Sequence, residues 1–125
     1  MLKTIFCAAA LCLGTAAAAA EQYAANFSAP SNGGRSMNFK MEIEVDIKGD
    51  GVFDGKVLKV WGASACRYPV GLTGSLVGDD ISFKSEVNPT PGCGRIVFNG
   101  KKVGDTFVGV LPMFQGRAIE LTFSK

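Results

Sequence analysis

The stretch that decides the fold is residues 37–47, which read MNFKMEIEVDI. Every second residue from Met37 to Ile47 is apolar, and the residues between them are polar or charged. Strict alternation over this length predicts a β-strand with one buried face and one solvent face. The next four residues, Lys-Gly-Asp-Gly at 48–51, suit a tight reversal because glycine readily adopts positive φ. The chain then returns, so we predict a long β-hairpin over residues 36–60.

The later segments repeat this pattern of short alternating strands separated by Gly-Asp turns. Residues 112–116 are expected to form the last loop, and residues 23–27 a short edge strand. The other expected strands are residues 72–77, 81–87, 95–103, 106–111 and 119–123. Seven or eight consecutive antiparallel strands must bury one apolar face and protect their edges, which a closed up-and-down barrel achieves. We therefore predict an all-β antiparallel meander, with a closed barrel favoured and a two-sheet β-sandwich as the alternative.

The first twenty residues have the features of a secretory signal peptide. Lys3 precedes a short apolar run, and the segment ends in five alanines. We expect cleavage after Ala20, which leaves Glu21 first; a retained anchor is the alternative. The apolar run is short for a membrane span and no second one follows, so no stable span is expected after cleavage. The mature chain then divides into a poorly patterned segment, 21–35, and a single β domain, 36–125.

Charge and cysteine content limit the class of protein. After cleavage the chain has one net positive charge, which gives no long-range attraction to nucleic acid, and we expect no nucleic-acid partner. Two of the four cysteines leave with the signal, and Cys66 and Cys93 remain. Two cysteines in an exported chain most simply form one disulfide. A redox pair is the alternative, but the two cysteines lack the Cys-x-x-Cys spacing. We expect a periplasmic or secreted protein.

The residues available for chemistry argue against catalysis. The chain contains no histidine, which removes Ser-His and Cys-His dyads and most zinc and copper sites. Glu42, Glu44 and Asp46 could in principle serve a glycosidase, but they lie on the solvent face of the predicted strand. Asp50 and Asp54 follow at four-residue intervals, and aspartates in a turn need no calcium to explain them. We expect a non-enzyme without metal or cofactor.

Four residues near the predicted disulfide form the candidate binding site. They are Trp61, Arg67, Tyr68 and Arg95. Tryptophan and tyrosine beside arginine are typical of binding surfaces, because they add contact area at little entropic cost. The alternative is structural: Trp61 would plug one end of the core and Tyr68 would pack on the disulfide.

The block at 66–83, CRYPVGLTGSLVGDDISF, resembles the middle of avidin-family proteins. There a Tyr-Pro-Leu-Thr-Gly-like start opens a strand and an Ile-x-Phe-like strand returns. The segment Gly-Val-Phe-Asp-Gly at 51–55 is similar to the family's earlier hairpin. The resemblance implies an antiparallel barrel. The chain has no tryptophan after Trp61, where the family's later strands wall the biotin ring, so no biotin-contacting residue is carried over.

These observations support two functional hypotheses. The first is a small-ligand binder with its site at the barrel mouth near Trp61 and Tyr68, which requires an internal cavity lined by aromatics. The second is an interaction protein of the cell envelope, such as an inhibitor or an assembly factor. It requires a filled core and an exposed apolar patch, for which residues 112–114 (Pro-Met-Phe) are the candidate.

Overall fold

The computed structural model describes residues 20–30, 35–62, 66–114 and 117–125. Of the predicted signal peptide, residues 1–20, all but Ala20 lie outside the described residues. Eight antiparallel strands pair in chain order, and the eighth pairs with the first, so the sheet closes into a barrel. The strands are β1 (Glu21–Pro30), β2 (Ser36–Ile47), β3 (Val52–Trp61), β4 (Val70–Val77), β5 (Asp80–Ser85), β6 (Val97–Val103), β7 (Thr106–Phe114) and β8 (Arg117–Ser124). The predicted closed meander is confirmed, and the sandwich alternative is wrong.

The hairpin of β2 and β3 forms as its sequence predicts. The strands pair from Ile47↔Phe53 to Lys40↔Trp61, with one irregularity next to Ile43. At the turn, Gly51 has φ of 82° and its N–H donates to the carbonyl oxygen of Lys48 at 2.9 Å. A residue with a Cβ is disfavoured at this positive φ.

Strand β1 is longer than its sequence suggested. It pairs with β2 from Glu21↔Val45 to Pro30↔Ser36, and Ala24↔Ser124 joins it to β8. It is therefore an internal strand of a closed sheet and not a short edge strand. Its buried positions alternate large and small: Tyr23, Ala25, Phe27 and Ala29. The two alanines obscure the alternation of apolar and polar residues in the sequence, because alanine is only weakly hydrophobic.

Two predicted boundaries near the end of the chain are wrong. Strand β6 begins at Val97 and not at Arg95, and β7 continues through Pro112 to Phe114 where a loop was expected. The rest of that expected loop, residues 115–116, lies outside the described residues. Strand β7 can pass through Pro112 because a register shift interrupts its pairing with β8 between Leu111 and Phe114.

Aromatic side chains fill the interior of the barrel. Near one end, the rings of Phe27, Phe39 and Phe114 lie 5.1 to 5.5 Å apart, centroid to centroid. The rings of Tyr23 and Phe107 lie 4.4 Å apart, centroid to centroid. The rings of Phe83, Phe98 and Phe123 lie 5.2 to 5.8 Å apart. Such separations are those of direct aromatic packing. The described interior is a packed core of rings and not an open lumen.

The two ends of the barrel differ. At one end, here called the disulfide end, lie the ends of the strands that connect β1 to β2, β3 to β4, β5 to β6 and β7 to β8, with the described connecting residues 35, 62, 66–69 and 86–96. At the other, here called the hairpin end, short turns at 48–51, 78–79 and 104–105 lie beside both ends of the domain. Lys125 Nζ lies 2.9 Å from Glu21 Oε2 there, and this hydrogen bond holds the pKa of Glu21 below its ordinary value.

The long connections at the disulfide end are fastened to each other. Cys66 and Cys93 form the predicted disulfide, with an S–S distance of 2.02 Å. The buried side chain of Asn88 accepts from the Arg67 N–H at 3.2 Å and donates to the Arg67 carbonyl at 2.8 Å. Buried polar groups bonded in this way fix a loop in one conformation. Among the described residues, the structure contains no helix that is long and apolar enough to cross a membrane.

Removing a core ring is expected to destabilise the domain severely. Phe98 is fully buried between Phe83 and Phe123. Phe98→Ala should lower the free energy of unfolding by about 3 to 5 kcal/mol, measured by urea denaturation. The control Val97→Ala changes the neighbouring outward residue and should cost less than about 1 kcal/mol. Equal losses for the two variants would contradict the packed core.

The disulfide is expected to supply a large part of the stability. The bond joins cysteines 27 residues apart, and closing a loop of this size is worth about 3 to 4 kcal/mol in the chain-entropy model. The double variant Cys66→Ser/Cys93→Ser should lose about that much free energy of unfolding, measured by urea denaturation. A loss below about 1 kcal/mol would mean that the unfolded chain is not restricted by this bond.

Candidate functional site

The four residues predicted as a site all lie at the disulfide end, but they do not converge. Trp61 ends β3, Arg67 and Tyr68 lie in the β3–β4 connection, and Arg95 lies in the β5–β6 connection. Tyr68 and Arg95 line one cleft beside the disulfide. Trp61 and the side chain of Arg67 are exposed and are not among the residues that line this cleft. The structure thus gathers half of the predicted set.

Trp61 does not plug the core. Its side chain is 38 % exposed on the outside of the barrel. The Nζ atoms of Lys40 and Lys59 lie 5.0 and 4.9 Å from the centre of its ring. These are cation–π distances. The ring is therefore covered by lysines of the same chain, and the structural alternative of a core plug is wrong.

Tyr68 is half-buried and packs against the edge of the hydrophobic core. Burial raises the pKa of its phenol. The cleft beside it has a volume of about 170 Å³ and is also lined by Cys66, Cys93, Arg95 and Phe114. The structural alternative placed Tyr68 on the disulfide; the side chain instead packs partly on the core and lines a cleft that Cys66 and Cys93 also line.

A second cleft, here called the seam cleft, adjoins the first and lies between β6 and β7. Its volume is also about 170 Å³, and its lining residues are Arg95, Ile96, Val97, Leu111, Pro112, Met113 and Phe114. Arg95, Ile96, Met113 and Phe114 line both clefts. The two clefts therefore adjoin at the rim of the barrel and are here together called the groove; its seam part is lined mainly by apolar residues.

The seam cleft exists because two paired strands separate. The β6–β7 ladder runs from Val103↔Thr106 to Asn99↔Val110 and stops there in the described chain. Continuation of this register would place Val97 opposite Pro112. Proline has no N–H, so it cannot donate to a ladder at that position. Beyond it β6 stays with β5, and β7 stays with β8.

A bulge in β7 determines which side chains face the groove. Leu111 pairs with Ile119, but Phe114 pairs with Arg117, so β7 has one extra residue in this interval. An extra residue inverts the alternation of the side chains that follow it. Phe114 consequently turns inward onto Phe27 and Phe39. Met113 turns outward and is 74 % exposed.

The charge around the groove is positive. The four connections at the disulfide end each carry or adjoin one arginine: Arg35, Arg67, Arg95 and Arg117. The same connections contain one carboxylate, Glu86, which accepts a hydrogen bond from the Gly71 N–H at 3.3 Å. Within the described residues, no ion pair engages Arg67, Arg95 or Arg117. The turns at the hairpin end carry Asp50, Asp79 and Asp105 instead.

Two further surface depressions lie on the outer faces of the strands. One of about 360 Å³ lies on the outer face of β4 to β6, and one of about 460 Å³ lies on the outer face of β2 to β4. The second contains Asp46 and Asp54, which pair directly across β2 and β3. Asp50 instead accepts from the Val52 N–H at 3.1 Å. The described residues contain no group of three or more His, Cys, Asp or Glu side chains placed to hold a metal ion.

Sequence reasoning identified part of the groove. It singled out Tyr68 and Arg95 as site residues and residues 112–114 as an apolar patch, but treated them as features of separate hypotheses. Ile96 and Leu111 were not identified, because they read as ordinary core positions. A proline inside an alternating segment is the signal that marks the groove, since it ends the ladder of a strand that otherwise continues.

Comparisons with protein-family models, with curated proteins and with solved structures gave no match in any of the three searches. The antiparallel barrel that the sequence predicted is present. A function for the groove is therefore inferred from its geometry.

The buried phenol of Tyr68 gives a titration that tests its position. Burial raises the pKa of Tyr68 and also that of Tyr23, the only other tyrosine. Both should ionise above the ordinary value of about 10, measured by near-UV difference absorbance, and both should return to it in urea. Because their pKa values are raised, the two phenols hold their protons more tightly in the folded state than in the unfolded state. Their contribution to the free energy of unfolding is fully present below the unfolded pKa and is lost as the pH rises through the folded pKa values. If the ionisation step that is missing from a Tyr68→Phe variant has the ordinary tyrosine pKa, the burial of Tyr68 is contradicted.

Proposed function

We propose that the mature chain is a non-catalytic, exported binding protein that recognises a partner protein through the groove at the disulfide end. The observation that carries this proposal is Met113: a large apolar side chain, 74 % exposed, beside an apolar cleft in an opened part of the barrel wall. Exposed apolar surface of this kind is typical of interaction sites. The proposed partner is an envelope or secreted protein that this chain inhibits or helps to assemble.

The packed interior supports protein recognition over ligand storage. Barrels that hold small ligands do so in a lumen, and the rings of Phe27, Phe39 and Phe114 pack across this end of the core. Each part of the groove has a volume of about 170 Å³. Sites for drug-sized ligands are usually at least about 300 Å³. Each cleft alone is smaller than such a site and is large enough for single side chains of a partner protein.

The surface near the groove supports the same proposal. Val97 is exposed on β6, and Pro112 and Met113 are exposed on β7. Interface cores are depleted in charge and have charged residues at the rim, with arginine enriched. Here the apolar strip is bordered by Arg95 and Arg117.

Two further features support export without catalysis. The disulfide is consistent with an oxidising compartment, and the first twenty residues have the pattern of a signal peptide. The chain has no histidine. The groove offers Tyr68 with a raised pKa and a permanently charged Arg95, a pair that does not constitute a general base near neutral pH.

A small ligand remains the second candidate function. The cleft that contains Tyr68 and Arg95 combines a half-buried phenol with a cation, which would suit a small anionic ligand. Native mass spectrometry of the exported protein distinguishes this candidate. A bound small molecule that is lost in Arg95→Gln would favour it over protein recognition.

Site-specific photo-crosslinking in the native cells tests the proposed function. A photoreactive residue at Met113 should give a discrete adduct with another protein. The matched control is Val77, which is 71 % exposed but lies at the hairpin end. It should give no adduct, because exposure alone does not create an interface. The Arg95→Glu change should weaken the Met113 adduct.

Two results would contradict the proposal. The first is the absence of any adduct at Met113 when the protein is folded and exported. The second is the same set of adducts at Met113 and Val77, which would show that the labels report random encounters.

A further inference from the structure

We propose that the groove binds an extended peptide segment of the partner, with acidic and apolar side chains, which adds as a strand to the open edge of β6 at Arg95 and Val97. This inference rests on the proposed function and specifies the chemistry of its partner. Strand addition is a recurring mode of peptide recognition that needs an unpaired sheet edge and pockets for alternate side chains. Both are present in the seam cleft.

The backbone of β6 provides the edge. The Ile96 carbonyl accepts from the Ser85 N–H at 2.8 Å, and the Ile96 N–H donates to Ser85 Oγ at 2.9 Å. Both backbone groups of Ile96 thus point toward β5. In an antiparallel sheet, the groups of alternate residues point in opposite directions along the sheet. The N–H and C=O groups of Arg95 and Val97 therefore point toward β7, into the seam cleft.

Strand β7 cannot complete its ladder along this edge. Its ladder with β6 stops at Asn99↔Val110, and the next residue that would face β6 is Pro112, which has no N–H to donate. Both Arg95 and Val97 line the cleft that separates the strands. A strand edge exposed in the barrel wall is the feature that an added peptide strand would satisfy.

The side chains around the edge define the peptide. Ile96, Leu111 and Phe114 give the groove an apolar lining that accepts apolar side chains. Arg95 lines the groove, Arg117 pairs with Phe114, and Arg67 follows the disulfide cysteine. Arginine binds carboxylates through two parallel hydrogen bonds. The charge of this rim therefore favours aspartate and glutamate on the peptide and disfavours lysine.

Selection from a random decapeptide library displayed on phage tests the proposal. The bait is the disulfide-bonded mature chain, and the Arg95→Glu variant is used for counter-selection. Enriched peptides should alternate apolar and acidic residues. A synthetic copy of the best peptide, labelled for fluorescence anisotropy, should bind at least about tenfold more weakly to Arg95→Glu. The control Lys56→Glu makes the same change of charge on the outer face of β3 and should leave binding unchanged.

Backbone methylation of the peptide separates strand addition from simple charge attraction. Methylating alternate amides in one register should abolish binding, because those N–H groups donate to the carbonyls of Arg95 and Val97. Methylating the other register should leave binding intact, since those groups point away from β6. A peptide that merely lies on the arginines would tolerate both.

Several outcomes would overturn the inference. These are no enrichment, enrichment of basic peptides, equal tolerance of methylation in both registers, or concentration-dependent dimers of the chain that block peptide binding. A discrete crosslink at Met113 together with equal tolerance of methylation would reject strand addition and leave the proposed function standing. Failure of both experiments would reject both.

Discussion

The closure of eight strands around a core of packed aromatic rings is the constraint on which the rest of the structure depends. A strand pairs on both sides in such a sheet, so hydrogen bonds of the backbone are satisfied without covering helices. The barrel is small, and large rings can fill it only where neighbouring positions are small. Gly74 shows this requirement: a Cβ there would lie 2.6 Å from the ring of Phe53. The interior is consequently used for stability and leaves the rim and the outer wall for function.

The opening between β6 and β7 is a place where this closure is relaxed at a rim lined by apolar residues. Pro112 ends the β6–β7 ladder, and the adjoining bulge turns Phe114 inward and Met113 outward. The inward ring helps to pack the end of the core, so the same bulge serves stability and creates the groove. The disulfide and Asn88 fix the opposite wall of the groove. A rigid groove loses little conformational entropy on binding, which favours recognition.

The parts of the fold that sequence reasoning predicted are those with large side chains in strict alternation. Strand β2 and its turn at Gly51 are the best examples, and the disulfide followed from the two cysteines that remain after the expected signal cleavage. Strand β1 was underestimated because Ala25 and Ala29 occupy half of its buried positions. The end of β7 was missed because a bulge breaks the period from which strands are recognised.

The sequence predicted the end of the barrel at which the candidate site lies, but not the contacts that its residues make. Tyr68 and Arg95 lie in connections that an up-and-down meander must bring to the same end, so their proximity follows from topology. The position of Trp61 beneath Lys40 and Lys59 depends on the register of β2 with β3, which the sequence did not specify. The seam cleft depends on the absence of one N–H at Pro112. That is a local property with a consequence visible only once the neighbouring strand is known.

Native-state hydrogen exchange of the mature chain, followed amide by amide by NMR, tests the open edge of β6 most directly. The amides of Arg95 and Val97 should exchange rapidly, because the β6–β7 ladder ends at Asn99↔Val110 and pairs neither residue with β7. The amide of Asn99, one step further along the same edge, should be strongly protected by its pairing with Val110. Protection of Val97 equal to that of Asn99 would mean that the barrel wall is closed at this position. The groove would then lack the strand edge on which the account of recognition depends.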